Sequence, residues 1–194
     1  MPGFEGAERE DHDERAFGIV SSLDMKALGR RARLIIVCGL PGSGKTTLAK
    51  VLESQLNAVR FAPDEWMLAL SLDLYDEERR AKIEELQWAI AQRILELDTI
   101  VIIEWGTWGR SERDRLRLHA RAVGATVELR YLSAPVEVLF DRIQRRAMED
   151  PPITREAMLE WVKMFQAPTP EEMALFDEPM PVHPGHAWEH NRGV

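Results

Sequence analysis

Apolar positions along this chain switch between two rhythms from Leu34 onward. Leu34-Ile-Ile-Val-Cys38 is a short, unbroken, β-branched run, the pattern of a strand covered on both faces. Leu48, Val51, Leu52 and Leu56 then recur at helical spacing. Ala58 to Phe61 predicts a second short strand, ended by Ala62-Pro63. Ile83, Leu86, Ile90, Ile94 and Leu97 predict the buried face of a long helix, and Thr99 to Ile103 gives the strongest strand pattern in the chain. After Ser111 the spacing of Leu116, Ala120 and Val123 predicts a helix that Gly124 ends. Thr126 to Leu132 reads as a fourth strand, followed by a helix with Val136, Leu139, Phe140, Ile143 and Ala147 inward. Pro151-Pro152 interrupts this pattern. Thr154 is placed as an N-cap, with Ile153 and Met158 forming a hydrophobic staple. The helix it opens carries Met158, Trp161, Val162 and Phe165 before Pro168 and Pro170 stop it.

Strands that alternate with helices imply parallel βαβ units, so the expected fold is α/β: a three-layer sandwich on a mainly parallel sheet. The second strand is weak and a fifth is not found. Residues 1–33 are charged and without sustained period, and read as a flexible arm. Residues 34–177 read as one domain and 178–194 as an irregular tail rich in Pro, Gly and His. No apolar run is long enough to span a bilayer, and the acidic start lacks a leader pattern, so the expectation is a cytoplasmic protein with no membrane partner. The net charge of −8 argues against a long nucleic-acid partner. Cys38, the only cysteine, excludes an intrachain disulfide and is expected as a small buried hydrophobe. His183, His186 and His190 have loosely metal-like spacing but no packed element to hold them, and are expected in a solvated tail.

Candidate chemistry centres on Gly39-Leu40-Pro41-Gly42-Ser43-Gly44-Lys45-Thr46-Thr47, a full G-x-x-x-x-G-K-[ST] phosphate loop between a strand and a helix. Its glycines let backbone N–H groups turn inward around phosphate oxygens, and the helix adds its positive end. Lys45 then reaches the β- and γ-phosphates, and the Thr46 hydroxyl ligates magnesium. ATP or GTP with Mg2+ is therefore the expected ligand. No N-K-x-D sequence selects guanine, and no second long domain follows.

Asp64 follows the second strand at the edge where ligands of such sheets bind, and is a candidate general base for an acceptor hydroxyl as well as a candidate helix N-cap. Glu104 ends the strongest strand and is a candidate for the magnesium shell or for the acceptor. Trp66, Trp105 and Trp108 lie near these carboxylates in sequence, either as an aromatic wall for the acceptor or as packing. Of Arg110, Arg113, Arg117 and Arg121, recurring at helical spacing, Arg113 borders the buried face and is the member placed to reach an acceptor.

The loop, the Asp after a second short strand and a helix followed by Arg142, Arg145 and Arg146 together resemble one P-loop kinase group. It includes zeta toxins, chloramphenicol phosphotransferase and the kinase domain of polynucleotide kinases. The resemblance covers about residues 34–165 by motif order. It implies that Asp64 is the base and that a short lid near 145–155 bears the arginines that clamp the transferring phosphate. Arg142 and Arg146 are the choices by analogy, with Arg145 left open. Trp66 and Met67 stand where the group often carries an Arg, which argues for a more apolar acceptor. The expected reaction is γ-phosphoryl transfer to the hydroxyl of a small molecule. The alternatives are an NTPase with water as sole acceptor, a polynucleotide 5′-hydroxyl kinase and a kinase of sugar nucleotides. Oligomeric state is not legible.

Overall fold

The computed structural model describes residues 32–146 and 151–181. Expectations for residues 1–31, for Ala147 and the centre of the lid at 147–150, and for His183, His186 and His190 lie outside them.

The β-branched run builds β1 (Arg33–Cys38), which lies between β3 (Ile100–Ile103) and β4 (Thr126–Tyr131), with β2 (Val59–Phe61) outside β3. All three pairings are parallel, with Ile36 opposite Ile103 and Leu129. Four strands make the sheet among the described residues; no fifth joins it. Side-chain alternation divides β1 between two cores. Leu34, Ile36 and Cys38 face one layer with Val101, Ile103, Val127 and Leu129. Ile35 and Val37 face the other with Ile100 and Ile102. Both faces are apolar because both are covered by helices.

On one face lie α3 (Glu77–Glu96) and α4 (Arg110–Ala122), contributing Ala91, Leu95, Leu116 and Ala120. On the other lies α1 (Lys45–Leu56), contributing Ala49, Leu52 and Leu56. A smaller cluster joins α5 (Val136–Arg146) to α6 (Arg155–Met164) through Leu139, Ile143, Ile153 and Met158, with Leu40 of the glycine loop against it. Ile153 and Met158 thus form the expected staple, and Thr154 caps α6 by accepting from Ala157 N–H. Gly124, at φ +81, ends α4 as read. Among the described residues no helix is long and apolar enough to cross a membrane.

Two expectations need correction. The buried face of α3 is Ile83, Gln87, Ala91 and Leu95, whereas Leu86, Ile90 and Leu97 are exposed. The inward face takes Gln87 because the buried Trp105 indole needs an acceptor, and its Nε1 donates to Gln87 Oε1 at 2.8 Å. Asp64 does not cap a helix: α2 (Pro63–Ala69) begins one residue earlier, at an Ala62 cap with Pro63 in its first turn. Proline presets the helical φ there, and Asp64 falls in the first turn, where a carboxylate meets the positive end. The described residues after Asp177 also reach the sheet. Met180 packs against the α1-side core, and its N–H donates to buried Glu128 at 2.9 Å.

Candidate active site: a phosphate loop and a strand-end carboxylate

The loop from Gly39 to Gly44 leaves the carboxyl end of the central strand and runs into α1. Its turn needs glycine: a Cβ at Gly42, at φ +77, would sit 2.6 Å from the Leu139 carbonyl oxygen. A Cβ at Gly39 would sit 2.3 Å from that of Leu132. The first turn of α1 carries no acidic side chain, so its positive end is uncompensated. Ser43 is 6% exposed and its hydroxyl has no partner among the described residues. Lys45 curls over the loop and donates from Nζ to the Leu40 carbonyl at 3.1 Å. Burial holds its ammonium below the usual lysine range, while the charges of Glu104 and Asp64 push the other way. A glycine cradle with a free hydroxyl and a desolvated ammonium fits a phosphate chain.

The Thr46 hydroxyl donates to Glu104 Oε1. Glu104 follows β3, is 9% exposed, and is fixed by its own N–H donating to Phe61 O at 2.9 Å. An alcohol from the first turn of α1 and a carboxylate from the end of β3 form an all-oxygen pair of the kind magnesium takes. Arg60, which sequence reasoning passed over, closes the other side of this carboxylate. Its Nη1 donates to Glu104 Oε2 at 2.8 Å, its Nε to Glu53 at 3.0 Å, and its Nη2 to both oxygens of Glu65 at 2.8 Å. Burial opposes its charge, but the bonds to Glu65, Glu53 and Glu104 hold the guanidinium above its ordinary value.

Asp64 stands at the mouth, with its side chain 63% exposed and Arg80 Nη1 at 2.7 Å from Oδ1. Its charge and that of Glu104 both favour the charged form of the Lys45 ammonium. Glu84, one turn beyond Arg80 on α3, is pushed up to about 7 by burial, with Arg80 opposing and Glu112, Glu77 and Asp64 adding. From α5, Arg142 donates to the Gly42 carbonyl at 3.4 Å. The charge of Arg146 also reaches Lys45. Arg145 turns away to Asp141 at 2.9 Å on the solvated side. Tyr75, before α3, donates to the Pro151 carbonyl at 3.0 Å.

The acceptor side departs from expectation. Arg113 does reach inward, but it is 0% exposed, and Glu172 takes its Nε at 2.7 Å and its Nη2 at 2.9 Å. The carbonyls of Thr107, Trp108 and Gln166 take the remaining donors, so no N–H is left for an acceptor. Trp105 is buried in the core rather than lining the site, for the reason given with Gln87. Trp66 packs its ring on Phe61 at 6.2 Å, and Trp108 stands edge-on to Trp161 at 5.9 Å. The three tryptophans therefore form no single wall. Arg117, largely buried over the Phe176 ring, pairs with Asp114, and Arg121 pairs with Asp177, so these two arginines serve packing and ion pairs rather than a solvated face.

A family model described as an AAA domain matches residues 34–168. No curated protein matches the chain significantly. Among solved structures, a chain of the Pnkp1/Rnl/Hen1 RNA repair complex superposes with a TM-score of 0.60 at 24% identity, over 81% of this chain and 50% of that one. This chain thus spans about half the length of that relative. An unliganded sugar kinase from Janibacter sp. HTCC2649 gives 0.54 at 22% identity, over 73% and 82% of the two chains. Kti12 from Chaetomium thermophilum, in complex with ADP-AlF3, gives 0.55 at 22% identity, over 71% and 82%. At such identities the likeness shows the fold alone.

Proposed function

This chain belongs to the AAA domain family, and on that footing we propose that it transfers the γ-phosphoryl group of ATP to a hydroxyl of a small, non-anionic acceptor. The observation that carries this reading is the phosphate loop with Lys45 folded over it and the Thr46–Glu104 pair beside it, together with Asp64 held by Arg80.

The loop N–H groups and Lys45 bind the phosphates, Lys45 exchanging the Leu40 carbonyl for them. Thr46 and Glu104 are the residues that would hold magnesium, which when bound neutralises charge on the phosphate oxygens. Asp64 accepts the acceptor's proton as the new O–P bond forms and the bond to the leaving ADP breaks. Arg80 keeps its carboxylate turned for that task. Arg142 leans on the loop and is the lid cation best placed to balance charge on the transferring group, with Arg146 behind it.

Charge favours an acceptor without an anionic group. The charges of Asp64, Glu77 and Glu112 all bear on Glu84 beside Arg80, Arg80 is already paired, and Arg113 has no donor left. A nucleic-acid end would meet that acidic rim, so the charge that weighs against a polynucleotide in the sequence weighs the same way here.

The test is a mass-shift screen with Mg-ATP over neutral polyols, amine-bearing polyols, sugar acids and 5′-hydroxyl oligonucleotides. A phosphorylated neutral or amine-bearing product is expected, with turnover falling at least about a hundredfold in Asp64→Asn while ATP binding persists. Undiminished turnover in that variant would remove Asp64 as the base. Hydrolysis without product across the panel would favour an NTPase using water alone.

A further inference from the structure

Glu104 is a glutamate at a strand end where the shorter aspartate is the more common magnesium partner. Its extra methylene adds a torsion that must be frozen before the carboxylate can serve. The structure supplies the restraint from β2. The Arg60 side chain, 7% exposed, spends its planar fork on Glu53 of α1, Glu65 of α2 and Glu104 beyond β3. Those bonds leave Glu104 with Oε2 taken and only Oε1 free to meet Thr46.

We propose that Arg60 is a positioning residue: by fixing Glu104 Oε2 it turns Oε1 toward the Thr46 hydroxyl and shapes the pair that would hold magnesium. The inference rests on the magnesium-nucleotide reading above. It asks for arginine specifically. A lysine keeps the charge but is a point donor that cannot span three carboxylates in a fixed plane. The outer bonds, to Glu53 and Glu65, are half-exposed and contribute little stability by themselves. Their use is geometric, since they stop the guanidinium from following Glu104 when that carboxylate is drawn to a cation.

The test is nucleotide binding by the full chain, titrated calorimetrically with ATP in EDTA, in magnesium and in calcium. Magnesium demands near-ideal octahedral geometry, whereas calcium accepts irregular coordination. In Arg60→Lys the magnesium-dependent gain in ATP affinity is expected to fall about tenfold, the scale of losing a carboxylate's supporting partner. Affinity in EDTA and in calcium is expected to stay near wild type. The double variant Glu53→Gln/Glu65→Gln, which loosens Arg60 without touching Glu104, is expected to shift the same ratio by a smaller factor. A magnesium gain untouched in Arg60→Lys overturns the proposal. So does an equal loss under all three conditions, which marks a merely structural role. If Arg60→Lys does not fold, the double variant decides, and an unchanged gain there overturns it. A wild-type chain that binds no nucleotide under any condition overturns the nucleotide reading and this inference with it.

Discussion

Burial lifts the Glu84 carboxyl to about 7 from an ordinary 4.5; Arg80 opposes this, and Glu112 of α4, Glu77 of α3 and Asp64 of α2 reinforce it. A carboxyl whose folded pKa exceeds its unfolded one stabilises the fold while protonated. That contribution is full below about pH 4.5 and is lost as the pH rises through about 7. Glu84→Gln keeps the protonated shape at every pH. Its stability relative to wild type is expected to be near zero at pH 4.5 and to grow to about 1–3 kcal/mol by pH 8. Thermal melts of both chains across that range measure it, and a flat difference would show the carboxylate to be well solvated. Glycines allow a second contrast between single residues. Gly42 and Gly124 both have positive φ, but only Gly42 has backbone packed where a Cβ would go. Gly124→Ala is therefore expected to cost about 1 kcal/mol of stability and to spare nucleotide binding. Gly42→Ala is expected to abolish that binding, read by ATP titration, because the loop must move off the Leu139 carbonyl.

Elements meet most tightly where Arg113 of α4 enters the core. One guanidinium joins the β3–α4 loop, the end of α6 and Glu172 of α7 (Pro170–Met173). Removing one partner of a buried pair leaves a charge without compensation. Glu172→Gln or Arg113→Met is thus expected to lower stability by about 3–5 kcal/mol in urea unfolding, and the double change Arg113→Met/Glu172→Leu by less than either. This pair also shows where the sequence stops speaking. The helical wheel turned Arg113 inward correctly, because i, i+3, i+4 geometry is local. Its partner stands 59 residues away, and no local pattern names it. The phosphate loop was legible for the complementary reason: its glycine conformations and its helix start are set within a few residues. Strands β1 and β3 were legible from continuous apolar runs, and β4 from Val127, Leu129 and Tyr131 at alternate positions. The inward face of α3 was not, since Gln87 is buried to serve Trp105 while Leu86 and Leu97 face water. Arg60 stayed hidden in a three-residue strand that gives no period to read. The one available signal was an excess of glutamates, at 53, 65 and 104, at the ends of the elements around it.

At the scale of the molecule, the parallel order β2-β3-β1-β4 puts the ends of β1 and β3 side by side, and so sets Thr46 against Glu104. That order also leaves β4 as an edge, with unpaired backbone groups and the buried Glu128. The chain returns to cover it. Asp177 N–H donates to Val127 O at 2.8 Å and its carboxylate accepts Val127 N–H at 2.6 Å. The carbonyls of Glu178 and Met180 accept from Arg33 at 3.2 Å and Arg130 at 2.7 Å. These arginines also pair with Glu128, so the last described residues complete a buried ionic cluster. The family match stops at residue 168, before all of these contacts. The segment from 169 to 181 is therefore expected to be part of the folding unit, and a graded truncation series tests this. A chain ending at Pro168 strands Arg113 without Glu172 and bares the β4 edge, and is expected to show no cooperative thermal transition. A chain ending at Asp177 keeps both and, among the described residues, loses the Glu178 and Met180 contacts; it is expected to melt cooperatively with a deficit of about 1–2 kcal/mol. If the shorter chain melts like the longer one, the edge of β4 tolerates exposure and the returning segment is dispensable for folding.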